Sequence, residues 1–191
     1  MYDKFNRRIN YLRISVTDRC NLRCTYCMPE SGIKLLDHKD IISFEEIVDV
    51  VKLSVGRGID KIRITGGEPL VRRGIVDLVR MIAVIPGVKD FGLTTNGINL
   101  KKYAKDLKLA GLKRVNVSLD TLDPEKYKKI TRLGNINDVL DGIEEARKVG
   151  LTPVKINCVI QKSSQEPDAV EVATYCNEND LKVRYIKQMQ L

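Results

Sequence analysis

Gly58-Ile59-Asp60-Lys61-Ile62-Arg63-Ile64-Thr65 shows the unit from which the fold is predicted, because a glycine that can end a helix is followed there by a short β-branched run. The same unit recurs four times, at Gly87, Gly111, Gly150 and, with asparagine in place of glycine, Asn179. A first strand at residues 11–16 brings the number of predicted strands to six. Strands that alternate with helices predict a parallel sheet with right-handed crossovers.

Helix start signals lie between these strands. Ser43-Phe44-Glu45-Glu46 is a capping box, and Thr121-Leu122-Asp123-Pro124-Glu125 predicts another capped start. Further helices are predicted at residues 75–85, 101–110, 135–149 and 166–178. Repetition without a reversal of strand order favours a barrel over a doubly wound sheet. Because eight βα units need about 250 residues, this α/β chain is predicted to be one domain, residues 1–191, folded as an incomplete (βα)6 TIM-like barrel.

The two faces of the predicted sheet differ in polarity, since alternate strand residues point to opposite sides. One face is apolar and is expected to lie under the helices. The other face carries these residues: Arg13, Ser15, Arg63, Thr65, Asn116, Ser118, Lys155 and Asn157. The expected lumen is therefore polar and cationic. Buried cations need anionic partners, and the few carboxylates on these strand faces favour a bound anionic ligand over internal ion pairs.

Composition excludes several classes of protein. The chain has 33 Lys and Arg against 25 Asp and Glu, a formal charge of +8, but the charges are mixed along the sequence. Aromatic residues do not interleave with the basic ones, so we expect no nucleic-acid partner. No apolar run reaches the roughly 18–20 residues of a membrane span, and the first residues lack a signal-peptide pattern. We therefore expect a cytoplasmic protein with no membrane partner.

Three of the five cysteines, Cys20, Cys24 and Cys27, form a C-x3-C-x2-C triplet. Clustered cysteines in odd number indicate metal or redox chemistry rather than disulfides. The spacing also matches one helix face, but Thr17-Asp18-Arg19 before it and Pro29 after it favour a loop. Zinc sites usually have paired spacings, whereas three thiolates suit an iron–sulfur cluster with one iron free. Cys158 and Cys176 fall at predicted core positions and are not expected to be ligands.

The triplet, with an aromatic residue before its last cysteine, resembles the radical S-adenosylmethionine (SAM) superfamily. Gly66-Gly67-Glu68-Pro69 resembles the SAM-contacting turn of that superfamily. Longer stretches closely resemble the GTP 3′,8-cyclase family, so that the resemblance covers essentially the whole chain. These stretches are residues 12–20, 62–70, 93–97 and 117–122.

The resemblance implies a set of site residues. The three triplet cysteines would be catalytic and would hold a [4Fe–4S] cluster whose free iron binds the amino and carboxylate groups of SAM. The positions that match SAM contacts are Tyr26, Gly67, Ser118 and Met189. The positions that match GTP contacts are Arg13, Arg63, Thr94 and Lys155. Arg13, Arg63 and Lys155 are also residues that the strand pattern places in a cationic lumen.

The resemblance also implies a reaction. An electron from a low-potential donor would split SAM into methionine and a 5′-deoxyadenosyl radical. That radical would take the 3′ hydrogen of GTP, whose sugar would attack C8 to give (8S)-3′,8-cyclo-7,8-dihydroguanosine 5′-triphosphate, in molybdenum cofactor biosynthesis. The family's carboxy-terminal region, with a second three-cysteine cluster, is not in these 191 residues. The chain is therefore expected to be either a truncated SAM-binding core or a shortened relative with another substrate, and in either case to bind SAM without full cyclase turnover.

Two other functions stay open at this point. One is a radical SAM enzyme for a different anionic or peptide substrate, and the other is an iron–sulfur electron-transfer protein. A homodimer is also left open. Arg72 follows the glycine-rich turn, where it would either assist phosphate binding or lie at a solvated helix start.

Overall fold

Six parallel strands form one sheet in chain order in the computed structural model, which describes residues 2–188. The strands are β1 (Tyr11–Ser15), β2 (Lys61–Thr65), β3 (Asp90–Thr95), β4 (Arg114–Ser118), β5 (Lys155–Ile160) and β6 (Lys182–Lys187). Each strand pairs with the next in the chain, with no reversal of order. The predicted incomplete TIM-like barrel is confirmed, and all carboxyl strand ends share one edge of the sheet.

Six helices connect the strands. They are α1 (Phe44–Gly56), α2 (Ile75–Ala83), α3 (Leu100–Leu109), α4 (Pro124–Thr131), α5 (Ile136–Lys148) and α6 (Pro167–Glu178). The predicted capping box is present, since Ser43 Oγ accepts from Glu46 N and Glu46 Oε2 accepts from Ser43 N. Asp123 caps α4 by accepting from the backbone N–H groups of Glu125 and Lys126. Each such cap contributes about 1 kcal/mol to stability.

The hydrophobic core lies between the helices and one face of the sheet. Its strand residues include Ile62, Ile64, Val115, Val117 and Ile156, each exposed by 1% or less. Their alternation follows the predicted period of two. Because the helices cover this face, the intervening side chains point to the opposite, concave side.

Three polar side chains are buried on the concave side, Arg63, Asn116 and Asn157. Arg63 pairs with Gly92 across the sheet. A Cβ atom at Gly92 would lie 3.1 Å from Arg63 Cζ, so glycine makes room there for the guanidinium.

None of the helices within residues 2–188 combines the length and hydropathy needed to cross a membrane.

Candidate functional site

The three clustered cysteines lie in a loop after β1, at the carboxyl edge of the sheet. We call residues 17–28 the cysteine loop. A tight turn places the N–H groups of Cys27 and Met28 at 2.9 and 3.2 Å from Cys24 O. The loop docks on the end of α4, since Arg23 N donates to Thr131 O and Thr25 N donates to Ile130 O. The prediction of a loop rather than a helical stripe is confirmed.

Arg132, directly after α4, donates two further hydrogen bonds to the cysteine loop. Its Nη1 donates to Arg23 O at 2.6 Å and to Met28 O at 3.2 Å. The residue has φ 64° and ψ −38°, a backbone conformation that costs a non-glycine residue about 1–3 kcal/mol. Strain of that size persists only where the surroundings enforce it. The contacts to the cysteine loop account for the strain at Arg132.

The three thiols interact with one another. Cys20 and Cys24 are half-buried, whereas Cys27 is exposed. A hydrogen bond with Cys24 lowers the pKa of the Cys27 thiol, and the same bond, followed by burial, raises the pKa of Cys24. Burial raises the pKa of Cys20, whose sulfur accepts from Leu22 N at 3.4 Å. The thiolate is the form of each of these cysteines that would bind metal.

Three thiols in one loop are a donor set that suits an iron–sulfur cluster, whose irons are held by cysteine thiolates. Within residues 2–188, no group of three or more His, Cys, Asp or Glu side chains converges to hold one metal ion. The cysteines of a cubane cluster each bind a different iron, so their sulfurs surround the cluster instead of meeting at one point. Cys158 and Cys176 are buried on β5 and α6, as predicted. Neither belongs to the cysteine loop.

The glycine-rich turn after β2 packs directly on the start of the cysteine loop. Gly67 N donates to Thr17 O at 2.7 Å, and Glu68 N donates to Arg19 O at 2.8 Å. A Cβ atom at Gly67 would lie 2.3 Å from Arg19 O and 2.7 Å from its carbonyl carbon. Glycine is therefore required for this approach.

Glu68 joins the turns after β2 and β3. Its fully buried carboxylate accepts from Leu70 N, Thr95 Oγ1 and Asn96 N at 3.0, 2.8 and 2.6 Å. Burial raises the pKa of Glu68, and these three donors oppose that shift. Because buried polar groups need partners, Glu68 fixes the relative position of the two turns.

Tyr26 connects the cysteine loop to β4. Its hydroxyl donates to Asp120 Oδ2 at 2.6 Å, and Asp120 Oδ1 accepts from Val159 N at 2.8 Å. Burial raises the pKa of Asp120, and the bond from Tyr26 opposes that shift. Asp120 is not among the site residues predicted from the sequence, although it closely follows a strand at the edge where barrel active sites lie.

Cationic groups crowd the concave side. Arg63 Nη1 donates to Asn116 Oδ1 at 2.7 Å, while Arg114 binds Asp90 through Nε and Nη2. Burial, followed by the positive charges of Arg114, Arg184, Arg63 and Lys182, lowers the pKa of Lys155. Burial and then Arg114 lower the pKa of Arg63. These charges are therefore close enough to repel one another.

Two buried polar atoms on this side have no partner among the described residues, the Arg63 Nε donor and the Asn157 Oδ1 acceptor. Asp90 is a strand carboxylate on the concave side, and it already forms an ion pair with Arg114. Of the ion pairs found within residues 2–188, none includes Arg63 or Lys155. Unpaired buried donors and acceptors call for an explanation such as a ligand.

The remaining predicted site residues have the following positions. Arg13 is exposed and pairs in register with Arg63. Thr94 and Ser118 are half-buried, the first in β3 and the second at the end of β4. Met189 lies outside the described residues.

Arg72 makes contacts that its sequence position did not suggest. Its Nη1 and Nη2 each donate at 2.6 Å, to Val16 O and Ile42 O, and its guanidinium lies 4.3 Å from the centre of the Phe44 ring. Arg72 therefore ties β1 to the start of α1.

Curated proteins similar in sequence to this chain are GTP 3′,8-cyclases. A GTP 3′,8-cyclase of Thermodesulfovibrio yellowstonii is 55% identical over 190 residues, which are 99% of this chain and 59% of that protein. One of Alkaliphilus oremlandii is 53% identical over 191 residues, 100% of this chain and 60% of the relative. The chain thus spans about three fifths of the curated relatives it matches.

Solved structures share the fold. Streptococcus suis SuiB, crystallised with S-adenosylmethionine, superposes with a TM-score of 0.78 at 20% identity, over 95% of this chain and 41% of that one. Methylornithine synthase superposes with a TM-score of 0.75 at 17% identity, over 94% of this chain and 53% of that one. Residues 14–176 match the radical SAM superfamily. With its cysteine loop at the carboxyl edge of a six-stranded parallel sheet, the chain belongs to the radical SAM superfamily.

Proposed function

We propose that this chain is the SAM-binding core of a GTP 3′,8-cyclase. It holds a [4Fe–4S] cluster on Cys20, Cys24 and Cys27, binds SAM beside it and binds GTP on the concave side of the sheet. The observation that carries the proposal is the crowded cationic face around Arg63 and Lys155, neither of which forms an ion pair with the described residues. This face belongs to the same sheet whose carboxyl edge bears the cysteine loop. Relatives about half identical over the whole chain support it.

The cluster would supply one chemical step, the transfer of an electron from a low-potential donor that splits SAM into methionine and a 5′-deoxyadenosyl radical. The residues of this chain do the rest. The three thiolates hold the irons, and Tyr26, fixed by Asp120, forms one wall of the SAM site. The turn at Gly67 and the hydroxyl of Ser118 form further SAM contacts, and Met189 is proposed as another from the sequence.

A bound triphosphate would neutralise the excess positive charge on the concave side. Arg63, Lys155, Arg114 and Arg184 repel one another there, and a polyanion converts that repulsion into attraction. Arg13 and Thr94 lie on the same side of the strands and extend this surface. Asn157 Oδ1, which has no donor among residues 2–188, offers an acceptor to a ribose hydroxyl or a guanine N–H. Held at both ends, the nucleotide would keep its ribose in one orientation, as radical hydrogen transfer requires.

An electron-transfer protein fits these observations less well. Such a protein needs a cluster and a surface for its redox partner, whereas buried cations with an unpaired donor on the concave side serve no purpose in it. The peptide-bound structures with a similar fold are under 25% identical to this chain, so they show the fold alone and do not favour a peptide substrate.

Calorimetric titration of GTP tests the substrate half of this proposal. Lys155→Met keeps the aliphatic stem and removes the charge, and we expect GTP binding to weaken about 10–100-fold, as for the loss of one charge-assisted hydrogen bond. Lys148→Met, at an exposed position of α5, is the control and is expected to bind as the unaltered chain does. Guanosine should bind far more weakly than GTP. Equal affinity of the two lysine variants for GTP would contradict the assignment.

A further inference from the structure

The turn after β3 reaches the first cysteine of the cysteine loop. Asn96 Nδ2 lies 3.9 Å from Cys20 Sγ and donates to Asn21 Oδ1 at 2.8 Å. Asn96 is therefore a donor to this sulfur from a separate strand connection. The other donor to the same sulfur, Leu22 N, belongs to the cysteine loop itself.

The contacts of Asn96 fix the orientation of its side-chain amide. Its Oδ1 accepts from Ile98 N at 3.1 Å, so the NH2 group must be the end that faces Cys20 and Asn21. Its backbone N–H donates to Glu68 Oε2, and Glu68 is fully buried. Asn96 is thus held from both the main chain and the side chain, independently of whatever the cysteines bind.

We propose that Asn96 is a positioning residue for Cys20, whose hydrogen bond to the sulfur raises the reduction potential of the cluster and slows its loss. This inference rests on the proposed cluster at the cysteine loop. Reduction adds negative charge to the cluster and its thiolates, and an N–H dipole aimed at sulfur stabilises that charge. Groups that orient a ligand also hold the metal, and their removal commonly costs 10–100-fold in affinity.

The test compares two asparagines of one turn. Asn96→Asp keeps an oxygen for Ile98 N–H, removes the donor to Cys20 and adds one negative charge. Asn99→Asp adds the same charge at the N-cap of α3, where the asparagine side chain makes no capping bond. After anaerobic reconstitution, the reduction potential is measured by a titration followed by electron paramagnetic resonance, and iron release to a chelator is timed.

We expect Asn96→Asp to have a more negative potential than the unaltered protein and to release iron at least about 10-fold faster. Asn99→Asp should match the unaltered protein in both measurements. Asn96→Ala removes the donor without adding charge and should shift the potential in the same direction by less. Circular dichroism of the apoprotein shows whether Asn96→Asp folds. If it does not fold, the uncharged Asn96 variant alone tests the positioning role.

The proposal is overturned if the Asn96 variants match Asn99→Asp in potential and in iron release. A folded Asn96 variant that loses its cluster while Asn99→Asp keeps it supports the positioning role. Failure of the proposed function has a different signature, because the unaltered chain would then bind no cluster or would leave SAM intact.

Discussion

The hydroxyl of Tyr26 and the carboxylate of Asp120 form a 2.6 Å hydrogen bond across 94 residues of sequence. The bond joins the cysteine loop after β1 to the segment after β4. It therefore fixes the loop relative to the side of the sheet that carries the cationic groups.

Removing this bond should destabilise the apoprotein. In Tyr26→Phe, Asp120 Oδ2 loses its donor in a half-buried setting, and we expect the free energy of unfolding to fall by about 1–3 kcal/mol. Urea denaturation measures the change. The matched control is Tyr127→Phe, because the Tyr127 hydroxyl has no hydrogen bond to the residues that the structure describes, and it should change stability by less. Equal losses in the two variants would show that the Asp120 contact contributes nothing.

A methyl group at Gly67 should displace the cysteine loop. The new Cβ in Gly67→Ala would lie 2.3 Å from Arg19 O, so backbone must move. We expect a loss of about 1–3 kcal/mol in stability, as for overpacking, and weaker retention of iron after reconstitution. Gly56→Ala is the control, since nothing lies within 4 Å of its Cβ. At the end of α1 alanine should be neutral or stabilising, and a Gly67→Ala protein that behaved like it would refute the packing argument.

The backbone strain at Arg132 can be separated from its side-chain contacts. Arg132→Ala and Arg132→Gly both remove the bonds to Arg23 O and Met28 O, but only glycine accepts φ 64° without cost. The alanine variant should therefore be less stable than the glycine variant by about 1 kcal/mol. Both should release iron faster than the unaltered protein. Denaturant unfolding and iron release to a chelator give the two quantities, and equal stability of the variants would argue against strain.

The ion pair between Asp90 and Arg114 predicts a defined pH dependence. Arg114 lowers the pKa of Asp90 below its ordinary value of 3.8 in the folded state. The pair therefore stabilises the fold at pH values above the unfolded pKa, and this contribution is lost as the pH falls through the folded pKa. Asp90→Asn should cost about 1.5–3 kcal/mol at pH 7, and the difference from the unaltered protein should shrink below about pH 4. A difference independent of pH would contradict the assignment.

Much of the fold follows from local sequence patterns. Each glycine-plus-strand unit, such as residues 58–65, combines a helix end with a buried strand, and both signals lie within eight residues. The capping box at Ser43 and the cap at Asp123 are equally local. Their confirmation reflects that backbone geometry at these positions depends on near neighbours.

The long-range contacts that hold the cysteine loop in place could not be predicted in the same way. The cysteine triplet and Gly67 stand out by spacing, but Asn96 and Arg132 act on cysteine-loop residues that are 76 and 109 positions away in the chain. Such contacts depend on which strand ends meet. Arg72 shows the converse, since its position beside the glycine-rich turn suggested phosphate binding or solvent, whereas the fold brings two backbone carbonyls to it.

The central claim is that the cysteine loop holds a cluster that splits SAM. The most direct measurement reconstitutes the protein anaerobically with iron and sulfide, reduces it with dithionite in the presence of SAM, and assays 5′-deoxyadenosine by chromatography. A protein in which Cys20, Cys24 and Cys27 are all changed to Ala is the control. We expect 5′-deoxyadenosine from the unaltered chain and none from the control. A reducible cluster that leaves SAM intact would contradict the account.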